Sequence, residues 1–138
     1  MRAQWDRRRA LAIAIGGAAG AATRWAVVTS FETGPFPWPV LAINVAGSLL
    51  LGVLLAEEWS HRRARLLLHE FGAIGFCGGM TTFSTFAVEV VDLSRDGHTA
   101  TAVVYAAASV VTAIAGVVVG AAALRRLRAL TLPLEEAP

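Results

Sequence analysis

The sequence predicts an all-α membrane protein with four transmembrane helices, the third of them broken near its middle. Of the 138 residues, 56% are hydrophobic and only 16% are charged, a balance typical of chains that lie in lipid. Four apolar stretches are each long enough to span a bilayer, which takes about 20 helical residues. We therefore expect a single membrane domain over residues 1–138, with spans at about residues 10–31, 39–56, 71–93 and 99–124.

The arginines predict the orientation of these spans. All twelve basic residues are arginines, and two of them, Arg24 and Arg95, fall on one side of the predicted bundle. The other ten belong to the termini or to the loop between spans two and three: Arg2, Arg7, Arg8, Arg9, Arg62, Arg63, Arg65, Arg125, Arg126 and Arg128. Because basic loops stay in the cytoplasm, we expect a multi-pass protein of the plasma membrane with short cytoplasmic termini.

The tryptophans and the arginine clusters agree with a position across lipid. Trp5 and Trp59 are expected near the inner interface, and Trp25 and Trp38 near the outer one, as aromatic belts require. Arginine clusters also occur in nucleic-acid-binding proteins. In a chain this apolar, contact with lipid headgroups is the better explanation, and no nucleic acid is expected as a partner.

Span one places Gly16, Gly20 and Arg24 four residues apart, on one helical face. Small residues at this spacing let two helices approach closely. Arg24 has two interpretations of equal weight. An ionisable group near membrane depth is costly and usually functional, but a long side chain can also extend to the outer interface.

Span two places Asn44, Ser48 and Gly52 on one face. The amide of Asn44 lies within an apolar run and needs a partner. Taken alone, Asn44 is best explained by a hydrogen bond to another helix. The sharper hypothesis is that it lines a pore and donates to an ion.

Span three contains the most informative stretch, GFCGGMTTFSTF at residues 75–86. Gly78, Gly79 and the neighbouring threonines are poor formers of a continuous helix, and lipid tolerates a break only where it lines a cavity or faces protein. Phe83, Phe86 and Glu89 follow at spacings of three, so they share a face. A buried carboxylate must be paired, hydrated or protonated. The pattern predicts an ion site at membrane depth.

Span four carries a stripe of hydroxyl groups. Thr101, Tyr105, Ser109 and Thr112 follow one another at spacings of four, four and three. Any single hydroxyl can bond back to a carbonyl of its own helix. The complete stripe instead predicts a hydrated track or a polar contact between helices.

These motifs resemble those of the Fluc (CrcB) family of fluoride channels, over residues 16–126. The first motif is GGAAGAATRW at 16–25 and the second is NVAGS at 44–48. The third, at 75–86, matches the family almost letter for letter, and YAAAS at 105–109 fits the fourth.

The resemblance implies a dimer of two antiparallel subunits with two pores, through which fluoride leaves the cell passively and fluoride toxicity is relieved. It implies that Phe83 and Phe86 offer aromatic edges to fluoride, and that Asn44 and Ser109 donate hydrogen bonds to it. Further residues are expected to line or flank the path: Thr82, Ser84, Tyr105, Thr112, Glu89 and Arg24, the last near an aqueous vestibule. Backbone carbonyls of Gly78 and Thr81 would hold a structural sodium ion at the dimer centre.

The arginine bias departs from the family picture, because a dual-topology chain that inserts both ways should have little bias. One hypothesis is that this chain inserts in one orientation and pairs with an oppositely oriented paralogue. The alternative is an antiparallel homodimer in which assembly overrides the bias.

The main rival is a small proton-coupled transporter that resembles the four-helix multidrug exporters. Those transporters depend on a carboxylate in the first helix, and span one has none, although Glu89 in span three could serve. An enzyme is not expected. Cys77 and the three histidines, His61, His69 and His98, are scattered without metal-ligand spacing.

Overall fold

The computed structural model describes residues 7–31, 34–56, 63 and 65–131. Helices account for almost all of this part, and no strand occurs within it. The helices are α1 (Arg7–Ser30), α2 (Trp38–Leu55), α3 (Arg65–Cys77), α4 (Gly78–Met80), α5 (Ser84–Arg95) and α6 (Thr99–Thr131). Since α3, α4 and α5 follow one another along a single interrupted span, the described chain has four spans. The predicted fold class is confirmed.

The third span begins earlier than its charge pattern suggested. The prediction started it at residue 71 because Glu70 is ionisable, yet α3 begins at Arg65 and winds with the wide turns of a π-helix. Glu70 is only 2% exposed. Its Oε1 accepts a hydrogen bond from Arg9 Nε at 2.7 Å and forms an ion pair with Arg9 Nη2. This pairing offsets much of the cost of burying the carboxylate.

Two parallel helix pairs form the bundle, each along a contact lined by glycines. In the first glycine seam, between α1 and the α3–α4 segment, Gly16 and Gly20 lie against the backbone of Phe71 and Phe76. In the second glycine seam, between α2 and α6, Gly120 lies against the backbone of Leu49. The α3 helix also contacts α2, and α5 packs on α6, so the two pairs are joined.

The turn between α5 and α6 confirms Gly97 as a helix stop. Gly97 has a φ of +82°, which side chains disfavour and glycine adopts freely. Its N–H donates to the Ser94 carbonyl at 3.3 Å, and the His98 N–H donates to the Leu93 carbonyl at 2.8 Å. These bonds close the end of α5 in the way typical of a glycine cap.

The structure describes the two tryptophans that were expected at the outer interface, Trp25 and Trp38. Trp25, near the end of α1, and Trp38, at the start of α2, are 70% and 65% exposed. They lie towards the same end of the bundle, as expected for one interfacial belt. The remaining predictions of this kind, for Trp5, Trp59, His61, Arg2 and Arg62, lie outside the described residues.

Candidate functional site

Span three breaks at residues 81–83, just after the glycine pair. Thr81 is extended, with φ −76° and ψ 153°, and helical geometry resumes at Ser84. Gly78 and Gly79, which were expected to interrupt the helix, stay helical. A Cβ on Gly79 would overlap the Gly17 carbonyl of α1. Gly79 therefore serves close packing, and the break is made by the threonines that follow.

The side chain of Asn44 supports the broken backbone from α2. Its Oδ1 accepts the Thr82 N–H at 2.8 Å, and its Nδ2 donates to the Thr82 carbonyl at 3.1 Å. One amide thus replaces two helical backbone partners that the break removes, which is what backbone in lipid requires. This is the interhelical hydrogen bond of the simpler interpretation of Asn44. Donation to an ion stays a prediction.

The Thr82 hydroxyl restarts the helix on the far side of the break. Its Oγ1 accepts the Thr85 N–H at 3.2 Å, in the manner of a helix cap. The same oxygen lies 3.1 Å from Thr85 Oγ1 and 3.3 Å from Ser84 Oγ. Thr82 is therefore held through both its backbone and its side chain, and it is only 8% exposed.

These redirected bonds release two carbonyls from the helical ladder. In a continuous helix the Gly78 carbonyl would accept from the Thr82 N–H, and the Thr81 carbonyl from the Thr85 N–H. The first N–H donates to Asn44 and the second to Thr82 Oγ1. Gly78 is exposed, with open space where a Cβ would stand. Freed carbonyl oxygens of this kind are suitable ligands for a hard cation.

Arg24 turns towards the break. Its Nη1 donates to the Thr81 carbonyl at 3.0 Å, and the residue is half-buried. Thr81 lies near the middle of the interrupted span, so the guanidinium is directed at membrane depth and not along α1 to the outer interface. Of the two interpretations of Arg24, the structure supports a contact inside the bundle.

A cleft of about 370 Å³ opens beside the break, between α2, the interrupted span and α6. It brings together seven of the residues singled out in the sequence: Asn44, Gly78, Thr81, Thr82, Phe83, Phe86 and Ser109. Ser48, which also lines the cleft, was not predicted as a site residue. Its spacing of four from Asn44 was the available signal, because it places both polar groups on one face of α2.

The two phenylalanine rings at the cleft differ in their cover. Their centroids are 5.7 Å apart, with the planes inclined at 47°. Phe86 is half-buried and its centroid lies 5.4 Å from that of Tyr105. Phe83 is 79% exposed. One ring is therefore fixed by its own chain, and the other stands at the rim of the cleft.

Tyr105 and Glu89 lie behind the cleft and not on its wall. Tyr105 is fully buried, and its hydroxyl donates to Glu89 Oε2 at 2.5 Å. The same ring makes an edge contact with Phe36, at a centroid distance of 5.4 Å. The Glu89 carboxylate is thus paired, and the buried tyrosine supports the position of Phe86.

Thr112 and Ser109, in the hydroxyl stripe of α6, differ in their bonding. Thr112 Oγ1 bonds back to the Ala108 carbonyl at 2.6 Å, the local arrangement expected of a single threonine. Ser109 Oγ is enclosed and interacts with the Tyr105 hydroxyl one turn earlier, but it makes no hydrogen bond of regular geometry within the described residues. Because Ser109 also lines the cleft, its hydroxyl is available to something that enters there.

Comparison with known proteins gives the family. The family model described as CrcB-like protein, Camphor Resistance (CrcB), matches residues 11–121. The fluoride-specific ion channel FluC of Bordetella petrii is 40% identical over 118 residues, which cover 86% of this chain and 92% of that protein. FluC of Nitrobacter winogradskyi is 42% identical over 116 residues, which cover 80% and 90%. FluC 2 of Nocardia farcinica is 40% identical over 120 residues, which cover 83% and 84%.

The family match at residues 11–121 covers residues of all four spans, and the break, Asn44 and both rings of the cleft lie within it. This match agrees with the resemblance read from the four motifs. The chain belongs to the CrcB family.

Proposed function

We propose that this chain is a fluoride-specific channel that lets fluoride leave the cell passively and so relieves fluoride toxicity. The carrying observation is the break in span three, supported by Asn44 and flanked by Phe83 and Phe86 at a cleft inside the membrane span. The names of relatives at about 40% identity, fluoride-specific ion channel FluC, support the same function. They describe channels, and no enzymatic activity is proposed.

The chemistry of the cleft suits a small, strongly hydrated anion. Fluoride gives up its water only where hydrogen-bond donors and positive partial charge replace it. An aromatic ring is positive at its edge, so the rings of Phe83 and Phe86 attract an anion without a fixed charge. A site of this kind can bind fluoride and still release it, as conduction requires.

Two polar groups are placed to donate to the ion. The Asn44 Nδ2 has two hydrogens, of which one is directed to the Thr82 carbonyl. The second is the proposed donor to fluoride. The enclosed hydroxyl of Ser109, which makes no hydrogen bond of regular geometry within the described chain, is the other. Thr82, Ser84, Tyr105, Thr112, Glu89 and Arg24 are proposed to line or position the path around them.

A second, antiparallel subunit would complete the site. Phe83 is 79% exposed and Gly78 faces open space, which is unusual for residues beside a break in a membrane span. A partner subunit would cover both. It would also bring its own freed carbonyls towards those of Gly78 and Thr81, which together would hold a sodium ion at the dimer centre. Such an ion supplies fixed positive charge that favours anions in the interior.

The partner is either a second copy of this chain or an oppositely oriented paralogue. Ten of the twelve arginines lie on one predicted side, which supports a fixed orientation in the plasma membrane with cytoplasmic termini. The proton-coupled transporter is not supported, because the relatives are named as channels and α1 has no acidic residue.

Fluoride efflux from liposomes that contain this chain alone tests the function. Vesicles loaded with potassium fluoride and treated with valinomycin should release fluoride, and matched vesicles loaded with chloride should not release chloride. A proton gradient should not change the rate. Chloride release at the same rate, or efflux that depends on the proton gradient, would contradict the proposal.

Topology mapping distinguishes a homodimer from a heterodimer with an oppositely oriented paralogue. A single cysteine added at the C-terminus, in a Cys77→Ser background, should react with an impermeant reagent only from the cytoplasmic side. Equal labelling from both sides would rule out the fixed orientation and favour the homodimer.

A further inference from the structure

Arg24 uses the same carbonyl that the proposed sodium site requires. The Thr81 oxygen accepts the Arg24 guanidinium at 3.0 Å. We propose that the Arg24 guanidinium and a sodium ion are alternative occupants of the Thr81 carbonyl, so that Arg24 sets how tightly the protein binds sodium. This inference rests on the sodium site of the proposed function.

Electrostatic repulsion makes the two occupants exclusive. A hard cation lies about 2.5 Å from its oxygen ligands, so an ion on the Thr81 carbonyl would come within about 5 Å of the guanidinium. Both groups carry a full positive charge, and the interior screens them far less than water does. Although a carbonyl has two lone pairs, simultaneous binding would be strongly disfavoured.

The position of Arg24 makes its displacement feasible. Among the described residues no carboxylate pairs with Arg24, whereas Arg9 in the same helix is paired with Glu70. A neutral carbonyl holds a guanidinium less strongly than a carboxylate does. Arg24 is also half-buried and lies six residues before the end of α1 at Ser30. Once released, its long side chain can extend towards the outer interface.

Two states of the break follow. Without sodium, Arg24 holds the Thr81 carbonyl and supplies positive charge there. With sodium bound, the ion takes over that role and the guanidinium moves outward. Each occupant keeps a carbonyl paired that would otherwise be unsatisfied in lipid.

The first test measures sodium-dependent stability. The protein is purified without sodium, and its melting temperature is followed as sodium chloride replaces N-methylglucamine chloride at constant ionic strength. Arg24→Gln should lower the sodium concentration at half-effect by about tenfold, because the repulsion is gone. Arg24→Lys keeps the charge and should stay near the wild type. Arg95→Gln, which changes an exposed arginine at the end of α5, is the matched control.

A second measurement uses the wild type, so it does not depend on the folding of any variant. Phenylglyoxal modifies accessible guanidinium groups, and mass spectrometry reports the rate at each arginine. Sodium should make Arg24 react several-fold faster and leave Arg95 unchanged.

The outcomes separate this inference from the proposed function, since neither measurement involves fluoride. An unchanged or weaker sodium response in Arg24→Gln, or an Arg24 reaction that sodium leaves unchanged or slows, overturns the inference. If sodium changes the melting temperature of neither the wild type nor Arg24→Gln, both the inference and the proposed sodium site are overturned. A protein that conducts no fluoride yet shows both effects contradicts the proposed function and supports the inference.

Discussion

The glycine seams and the cleft use similar small residues for opposite purposes. Gly78 and Gly79 are neighbours in sequence, but Gly79 belongs to the first seam, against the Gly17 carbonyl, and Gly78 faces the open cleft. At the seams, backbone meets backbone with no room for a side chain. At the cleft, backbone groups are released from the helix and polar side chains take their place.

This difference teaches where the cost of a substitution should appear. At a seam, the residue fixes the distance between helices, so a larger side chain should reduce folding and leave little protein to assay. At the cleft, the polar and aromatic groups are proposed to contact the ion, so a change there should reduce flux while the folded protein survives. Variants at a seam and at the cleft should therefore separate a loss of folding from a loss of flux.

Replacing Gly79, in the first glycine seam, should reduce the amount of folded protein more than any other change considered. Gly79→Ala places a Cβ on the Gly17 carbonyl, and two rigid backbones would have to move apart, at a cost of about 1–3 kcal/mol or more. We expect a large loss of folded protein by size-exclusion chromatography. Gly34→Ala, in the turn before α2, also meets nothing within 4 Å, lies outside the proposed dimer centre and should retain its yield. Equal yields for the two variants would show that the seam is not tight.

Replacing a cleft ring should abolish or sharply reduce flux without loss of assembly. Phe83→Ile and Phe86→Ile keep an apolar side chain of similar size but remove the aromatic edge that attracts an anion. Fluoride efflux from liposomes should fall sharply for both. Phe31→Ile, at an exposed ring outside the cleft, is the control and should conduct normally. Rapid efflux through both cleft variants would remove the rings from the mechanism.

Asn44 should affect both flux and stability, because it belongs to the cleft and also supports the break. Asn44→Ala removes two hydrogen bonds to Thr82, so we expect a loss on the order of 2 kcal/mol in the free energy of unfolding together with lower flux. Asn44→Asp keeps the acceptor for the Thr82 N–H but loses the donor and adds negative charge. It should be better folded than Asn44→Ala and conduct less. If flux instead follows the amount of folded protein, so that Asn44→Asp conducts more than Asn44→Ala, Asn44 has a structural role alone.

Much of the fold could be predicted from local sequence. Apolar runs gave four spans because a membrane helix must be both long and apolar, and the spacing of Gly16 and Gly20 predicted the face that packs on α3. The start of span three could not be placed in this way. The cost of burying Glu70 depends on Arg9, which is 61 residues away in the sequence.

The candidate site was predictable in its membership and not in its details. Helix propensity drew attention to Gly78 and Gly79, but the chain leaves the helix at Thr81, since Asn44 on another helix offers partners for the Thr82 backbone. Spacing also treated all hydroxyls of α6 alike. Which of them bonds back to its own helix depends on rotamer and neighbours, which only the folded chain reveals.

The smallest expected effect is at Ser109, where a substitution should lower flux and leave the stability almost unchanged. The enclosed hydroxyl of Ser109 makes no hydrogen bond of regular geometry within the described chain and only a weak contact with Tyr105, so Ser109→Ala should change the stability by less than about 1 kcal/mol. If the hydroxyl donates to fluoride, flux should still fall, by about three- to tenfold. Ser94→Ala, at an exposed serine whose hydroxyl bonds the Val90 carbonyl, should change neither quantity. A Ser109→Ala protein that melts lower and conducts normally would mean that the hydroxyl serves packing, which would place Ser109 with the seams and not with the cleft.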